Sequence, residues 1–169
     1  MKRLMIFPLL FALVLTGCGS KKQEATLSPD DRTDLYETAI EAARDEETNQ
    51  SLPLVDDADD EMATLIFELL GITPGDMTSY ALSVSLMNVK AYAIAAIYPA
   101  AGKEDVILDA LRAFVDSQVQ SFKQYLADQY EIAVNARLET LEDGTVLLVM
   151  CADQDAVFDA IRDVIERGK

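Results

Sequence analysis

The side chains that most often carry out covalent chemistry are scarce in this chain. It contains two cysteines, Cys18 and Cys151, and no histidine. Cysteine and serine nucleophiles commonly rely on a histidine to take the proton, so Cys–His and Ser–His catalytic pairs are excluded. A zinc site built with histidine is excluded for the same reason. Cys151 ends the apolar run 146–151, and this position predicts a buried, unreactive thiol.

Carboxylates are the most abundant groups that could do chemistry. The run from Asp56 to Glu61 is a candidate cation site, because calcium is held in proteins by about six to eight oxygen ligands. The run lacks the spacing and the glycine of an EF-hand loop, so we expect weak or no binding. With 30 acidic residues, chance pairs of carboxylates are inevitable, and no pair is marked as an acid–base couple. We therefore predict no catalytic residue, no metal ligand and no cofactor.

Polar and aromatic residues near the predicted strands are candidate ligand contacts. The polar ones could line a groove, but the solvated face of a sheet is the favoured interpretation for Ser83, Ser85, Asn88 and Asn135. The aromatic ones could stack on a ligand, but packing in or beside the core is favoured for Tyr80, Tyr92, Tyr98, Tyr125 and Tyr130.

The amino terminus carries the most specific signal. Met1-Lys2-Arg3 is basic, residues 4–14 are apolar apart from Pro8, and Leu15-Thr16-Gly17-Cys18 follows. A basic start, a short apolar run and a small-residue cleavage site are typical of a secretory signal. The run is shorter than the about 20 apolar residues of a transmembrane helix. Leu-Thr-Gly-Cys resembles the bacterial lipobox, in which the cysteine thiol receives a diacylglyceryl group.

The sequence therefore predicts a signal peptide over residues 1–17 and lipidation at Cys18. A single acyl chain binds a membrane only marginally, so two or three chains, such as palmitate, would give lasting attachment. We expect the protein on the extracytoplasmic face of the cell membrane.

Charge argues against several partners. The chain has a net charge of −16, with 30 acidic and 14 basic residues. Between Asp30 and Glu61 there are 13 acidic residues and only two basic ones, Arg32 and Arg44. Such a charge disfavours nucleic acids and anionic lipid surfaces, and it is typical of a solvated surface.

The part preceding the core is predicted to hold a tether, residues 18–28, and an acidic helix and linker, residues 29–60. Ser28 and Pro29 are typical of a helix start, and this helix is expected to extend to about Glu47. Its apolar stripe is thin, so the sequence leaves open whether it docks on the core. Residues 48–60 are predicted as a linker with a short extended piece.

The core, residues 61–169, is predicted to be one α+β domain. Its pattern predicts a four-stranded, mostly antiparallel sheet in a ββαββα order, with helices packed on it and one or two helices before it. The predicted elements are a helix 61–70 stopped at Gly71, strands 80–86 and 92–98, a helix from about 103 to 128, strands 134–141 and 145–152, and a helix capped by Asp153. The inward face of this last helix is predicted to comprise Ala156, Val157, Ala160, Ile161, Val164 and Ile165. The strand 145–152 is apolar on both faces, which predicts a central position.

From Leu52 onward, the chain resembles a family of Gram-positive lipoproteins labelled only as a domain of unknown function (number 4358). The matching pieces are the acidic entry 52–61, the Gly71-Ile72 turn, residues 85–88 before 91–97, the helix end 121–126 and the hairpin 144–147. Ala127 departs from a proline that is frequent in the family. The resemblance implies a secreted, lipid-anchored α+β domain, and it carries over no active-site residue.

These observations favour a non-catalytic binding or interaction domain, tethered by lipid on Cys18, with an envelope or membrane protein as the expected partner. A small-ligand (solute) binding lipoprotein is the alternative. A hydrolase that uses a carboxylate is a third and weaker hypothesis.

Overall fold

Four antiparallel strands form one sheet in the computed structural model, which describes residues 27–168. The strand order is β1-β2-β4-β3. The strands are β1 (Met77–Val84), β2 (Ala93–Pro99), β3 (Arg137–Thr140) and β4 (Val146–Met150). Two hairpins, β1–β2 and β3–β4, are joined by antiparallel pairing of β2 with β4. The predicted α+β class and the ββαββα order are confirmed.

The two central strands are buried on both faces. Every residue of β4 is fully buried, as are residues 93–97 of β2. The small side chains of Ala93, Ala95 and Ala96 in β2 leave room for helices to approach the sheet closely. The predicted central position of β4 is confirmed, because it lies between β2 and β3.

Three helices cover one face of the sheet: α3 (Ala63–Leu70), α4 (Glu104–Phe122) and α5 (Ala127–Val134). Their buried side chains include Phe67, Leu111 and Phe122, which share a core with Leu82 and Leu148 of the sheet. A fully buried side chain of this size contributes about 1.5–3 kcal/mol. Gly71 ends α3 in the left-handed conformation, at φ 71°, as the sequence predicted.

Two helices cover the other face: α1 (Pro29–Ala42) and α6 (Gln154–Arg167). Tyr36 and Ile40 of α1 and Phe158 and Ile161 of α6 are fully buried against it. Ser28 caps α1 as predicted, since its Oγ accepts a hydrogen bond from the Asp31 N–H at 3.1 Å. The first helix therefore docks on the sheet, a point that the sequence left open.

The acidic segment after α1 differs from its prediction. The helix expected to reach Glu47 ends at Ala42, and a separate helix, α2 (Glu46–Ser51), occupies the start of the predicted linker. The Asp45 carboxylate begins α2 by accepting a hydrogen bond from the Thr48 N–H at 2.7 Å. The short extended piece of the linker is confirmed, because Val55 forms an isolated antiparallel bridge to Leu82.

The long helix predicted over 103–128 is wrong, because α4 and α5 are separate helices. α4 has 19 residues and so spans about 28 Å, while the eight residues of β1 span about 26 Å. A continuous helix would extend past the sheet, and the turn at Leu126 (φ −136°) directs α5 back onto the core. The predicted third strand consequently begins at Arg137 and not at 134, which still belongs to α5.

The predicted inward face of the last helix was partly wrong. Ile161 and Ile165 are buried as expected, and so is Phe158, which was missed, but Ala156 and Ala160 are exposed. Asp153 stands at the predicted cap position, yet its side chain makes no capping hydrogen bond. Within residues 27–168, no helix has the length and apolar character needed to cross a membrane.

Candidate functional site

The two sites that the sequence singled out are Cys18 and the acidic run 56–61. Cys18 and the signal peptide lie outside the described residues, so lipidation stays a prediction. In the acidic run 56–61, the Asp57 and Asp60 carboxylates accept backbone N–H groups of Asp59 and Met62, and these bonds stabilise the loop. No group of three or more acidic or cysteine side chains in residues 27–168 is arranged to hold a metal ion.

The four polar candidates do not form a solvated sheet face. Ser83 is fully buried, because the segment that links α1 to Leu52 covers it. Its Oγ donates to the Leu52 carbonyl at 2.9 Å. Ser85 is also buried and accepts the Met87 N–H, whereas Asn88 and Asn135 are exposed. The solvated-face interpretation is therefore wrong for the two serines.

Most of the tyrosines pack in or beside the core, as predicted. Tyr80 meets Phe67 edge-on at 5.6 Å between ring centroids. Tyr92 is buried and Tyr130 is half-buried, whereas Tyr125 is 84% exposed. Tyr125 is exposed because the chain leaves helical geometry between α4 and α5, so the helical spacing that predicted an inward position does not apply.

A concave pocket of about 450 Å³ lies at one end of the sheet. Tyr92, just before β2, and Cys151, just after β4, lie there, and we call this the pocket end. The segment after α1, the start of α6 and α5 complete the walls. Apolar wall is supplied by Ile94, Ile132 and Val157.

Arg44 is held firmly in the wall of this pocket. Its Nε donates to Asn49 Oδ1 at 2.8 Å, and its Nη1 donates to Ser83 Oγ at 2.8 Å. The same Nη1 also lies 3.0 Å from the Leu52 carbonyl and 3.3 Å from the Tyr92 hydroxyl. All four acceptors are neutral, so these bonds fix the guanidinium without neutralising its charge. The sequence carried one hint, since Arg44 is one of two basic residues in a strongly acidic segment.

Lys90 adds a second positive charge to the pocket wall. Its Nζ lies 5.5 Å from the centre of the Tyr92 ring, a cation–π distance. Among the described residues, no carboxylate lies within ion-pair distance of Lys90 or Arg44. Two positive charges without carboxylate partners thus share one pocket.

Two carboxylates also line the pocket, at Asp45 and Asp153. Hydrogen bonds from Thr48 lower the pKa of Asp45, and the charges of Arg44 and Lys90 add to this effect. Asp153 is exposed and adopts the left-handed conformation at φ 56°. The pocket therefore presents charges of both signs.

Cys151 contributes to the pocket as a protonated thiol. It is 5% exposed, and burial together with the negative charge of Asp153 raises its pKa to about 11. The thiolate is the nucleophilic form of cysteine, so at neutral pH this side chain is a poor nucleophile. Its predicted burial is confirmed.

A second hollow, of about 470 Å³, lies between α1 and residues 56–58, and its walls are acidic. Near it, a hydrogen bond to Asp56, burial and the charges of neighbouring carboxylates raise the pKa of Glu37 to about 7. When two carboxylates share a site, their repulsion raises the pKa of one of them.

Comparison with known proteins identifies one family. No curated protein and no solved structure matches the chain. The family model described as a domain of unknown function (DUF4358) matches residues 54–151. The match includes all four strands with α3, α4 and α5, and it leaves out α1, α2 and α6. Since it covers more than half of the sequence, the chain belongs to the DUF4358 family.

Proposed function

We propose that this protein is an extracytoplasmic lipoprotein, anchored by lipid on Cys18, whose folded domain binds a partner at the pocket end and catalyses no reaction. The observation that carries the binding role is the pocket itself, in which Arg44 and Lys90 form no ion pair with any described carboxylate. Such groups are costly to leave partly desolvated unless a ligand completes them.

The path of the chain supports an arrangement in which the pocket end lies away from the lipid anchor. The Pro29 carbonyl accepts a hydrogen bond from Ser79 near the start of β1, which lies at the opposite end of the sheet from the pocket. α1 then runs toward Arg44, over a length of about 21 Å for its 14 residues. A lipid on Cys18 would therefore join the domain at the end remote from the pocket, and the pocket mouth would stay accessible beside a membrane.

An exposed apolar loop at the pocket end supports a protein partner. In the connection between β1 and β2, Leu86 is 43% exposed, Met87 57% and Val89 59%. Lys90, the next residue, belongs to the pocket wall. Exposed apolar side chains next to a polar pocket are typical of interaction sites. The expected partner is an envelope or membrane protein.

The anchoring part of the proposal is tested with Cys18→Ser in the native host. We expect the wild-type chain in the membrane fraction, labelled by fed palmitate, and the variant unlabelled and absent from that fraction. Cys151→Ser is the matched control and should keep both label and membrane association. Equal labelling of wild type and Cys18→Ser would contradict the anchoring proposal.

The binding part is tested by a photocrosslinking amino acid placed at Met87 in the lipidated protein in cells. The matched control carries the same probe at Ala101, an exposed position after β2, at the opposite end of the sheet. We expect one dominant protein adduct from Met87 that is absent from Ala101. The same adducts from both positions, or none from either, would contradict binding of a protein at the pocket end.

A solute-binding role is the second candidate, and the volume of the pocket favours it. Pockets of about 300–1,000 Å³ suit small molecules, and this one has an apolar wall as well as fixed charges. A lipoprotein of this kind would hold a solute at the outer face of the membrane.

A further inference from the structure

We propose that the pocket binds a small molecule with an α-amino carboxylate, that is, an amino acid or a short peptide, with its carboxylate at Arg44 and Lys90 and its ammonium group toward Asp153 and Asp45. This inference deepens the proposed binding role of the pocket end and rests on it.

The charge distribution is the first step of the argument. The chain carries a net charge of −16, and every other arginine of residues 27–168 pairs with a carboxylate. Arg44 is the exception in a molecule with an excess of acids. An anionic group supplied from outside would provide the missing partner.

The geometry of Arg44 selects a carboxylate. Four hydrogen bonds hold its Nε and Nη1, and Nη2 is the terminal nitrogen that makes none of them. A guanidinium fixed in this way loses little entropy when it binds a carboxylate. Within the described residues, the Lys90 backbone N–H donates to the Met87 carbonyl but its side chain makes no hydrogen bond, so its ammonium group can add a second contact.

The acidic residues of the pocket favour a ligand that also carries a positively charged group. Asp45 and Asp153 stand on the same walls and would repel a phosphate or a dicarboxylate. A ligand that carries one ammonium and one carboxylate satisfies both signs. The Asp153 side chain makes no capping hydrogen bond to α6, so its carboxylate is available to such an ammonium group.

Size and apolar surface complete the selection. A volume of about 450 Å³ is near the lower end of ligand pockets, which suits an amino acid or a peptide of two or three residues. Ile94, Ile132 and Val157 offer apolar contacts to a ligand side chain. Free amino acids and short peptides share this chemistry, and the experiment separates them.

The test uses the purified full-length lipidated protein in detergent, with thermal shift followed by titration calorimetry. The probes are pools of the twenty amino acids and of dipeptides and tripeptides. Each binder is compared with its amide, which lacks the carboxylate, and with its N-acetyl form, which lacks the ammonium group. We expect saturable stabilisation by at least one pool, and affinity reduced at least about tenfold by either modification.

Lys90→Gln is the informative variant, because Lys90 is half-exposed and makes no hydrogen bond that the fold needs. It should weaken binding by about tenfold, and Asp153→Asn should reduce the preference for the free ammonium form over the N-acetyl form. Lys123→Gln, an exposed change of the same charge outside the pocket, should leave affinity unchanged. Unchanged binding in Lys90→Gln, or amides that bind as well as acids, would overturn the proposal.

No stabilisation by any pool at about 10 mM, a concentration at which even millimolar affinity is detected, would also overturn it. The Met87 crosslink then separates two failures. If its adduct persists without amino acid or peptide binding, only the ligand class is wrong. If neither adduct nor binding is found, the proposed function itself is wrong.

Discussion

At the scale of single residues, a buried network fastens α1 to the turn between β3 and β4. Arg32 and Asp143 form an ion pair whose side chains are only 10% and 9% exposed. The Arg32 guanidinium also lies 4.0 Å from the centre of the Tyr98 ring. The Asp143 carboxylate accepts the Thr145 N–H and hydroxyl as well. A buried carboxylate that loses its cation is strongly destabilising, although the intact pair itself adds little.

Replacement of Arg32 by methionine should therefore cost stability. We expect Arg32→Met to lower the free energy of unfolding by about 3 kcal/mol, because Asp143 would remain buried without its partner. Chemical denaturation of the full-length protein measures this. Arg112→Met is the matched control, since its pair with Asp109 is 61% and 79% exposed and should contribute at most about 0.5 kcal/mol. Equal losses in the two variants would contradict the assigned role.

A second residue-scale feature is the carboxyl group of Glu37, whose pKa is raised to about 7, chiefly by its hydrogen bond to Asp56. The group keeps its proton in the folded state at pH values where the unfolded chain has lost it. The folded state then binds more protons, so stability falls as pH rises from about 4.5 to about 7.

Glu37→Gln should remove this pH dependence. We expect the variant to unfold at higher temperature than the wild type at pH 8, and the difference to vanish near pH 4, where Glu37 is protonated in both states. The group is only partly buried, so solvent screening limits the gain to about 1 kcal/mol. Melting curves across this pH range measure it, with Glu68→Gln, an exposed position on α3, as a control for the lost charge. A variant less stable than the wild type at pH 8 would contradict the argument.

At the scale of elements, the docking of α1 depends on a few side chains. Its helical pattern is weakly amphipathic, because it has few large apolar residues and its acidic residues are spread along its length. Tyr36, Ala39 and Ile40 are nevertheless fully buried against the sheet and α6. The Tyr36 hydroxyl lies 2.6 Å from Thr145 Oγ1, which joins α1 to the start of β4, and burial raises the pKa of Tyr36 to about 12.

Ile40→Ala tests whether α1 is part of the cooperative fold. We expect a loss of about 2–5 kcal/mol in the free energy of unfolding, since the cavity would lie between packed layers. Far-ultraviolet circular dichroism and tyrosine fluorescence should report the same single transition. Leu65→Ala on α3, where the side chain is 51% exposed, should cost much less. An early separate transition in Ile40→Ala, with the core unaffected, would show that α1 docks independently.

At the scale of the whole molecule, the sheet is covered on both faces, and the two helical layers differ in origin along the chain. The layer of α3, α4 and α5 falls within the family match, whereas α1 and α6 come from either side of residues 54–151. Without α1 and α6, the sheet face that carries Ile94, Leu147 and Val149 would be open to water. The pocket lies at the boundary between the two parts.

A fragment limited to residues 54–151 should therefore not fold. Exposure of one whole sheet face removes a large share of the apolar burial that stabilises a domain of this size. We expect no cooperative thermal transition for the fragment by circular dichroism, whereas residues 28–168 should show one. A cooperative transition in the shorter fragment would mean that α1 and α6 are accessory to the fold.

Much of the fold followed from local patterns, and the errors have physical causes. Gly71 marked the end of α3, and the apolar run of β4 marked a central strand. The break between α4 and α5 after Phe122 was missed because no proline or glycine marks it. The length of the sheet determines where α4 ends. Ser83 was predicted to be solvated because the segment that covers it, which links α1 to Leu52, is distant from it in the sequence.

The candidate site was less predictable. The sequence drew attention to Asp56–Glu61, whose carboxylates stabilise a local loop, and passed over Lys90 and Arg44. These two are 46 positions apart, and no spacing rule relates the segment after α1 to the β1–β2 connection. Only the packing of α1 along β1 brings them to the same wall.

The sequence by itself determined the properties that depend on composition and short-range order. These are the exclusion of histidine chemistry, the excess of negative charge and the order of the four strands along the chain. The tertiary structure alone decided the docking of α1, the separation of α4 from α5 and the convergence of Arg44, Lys90 and Asp153 on one pocket. Local patterns reflect the conformational preferences of neighbouring residues, whereas these features depend on contacts between segments that are distant in the chain.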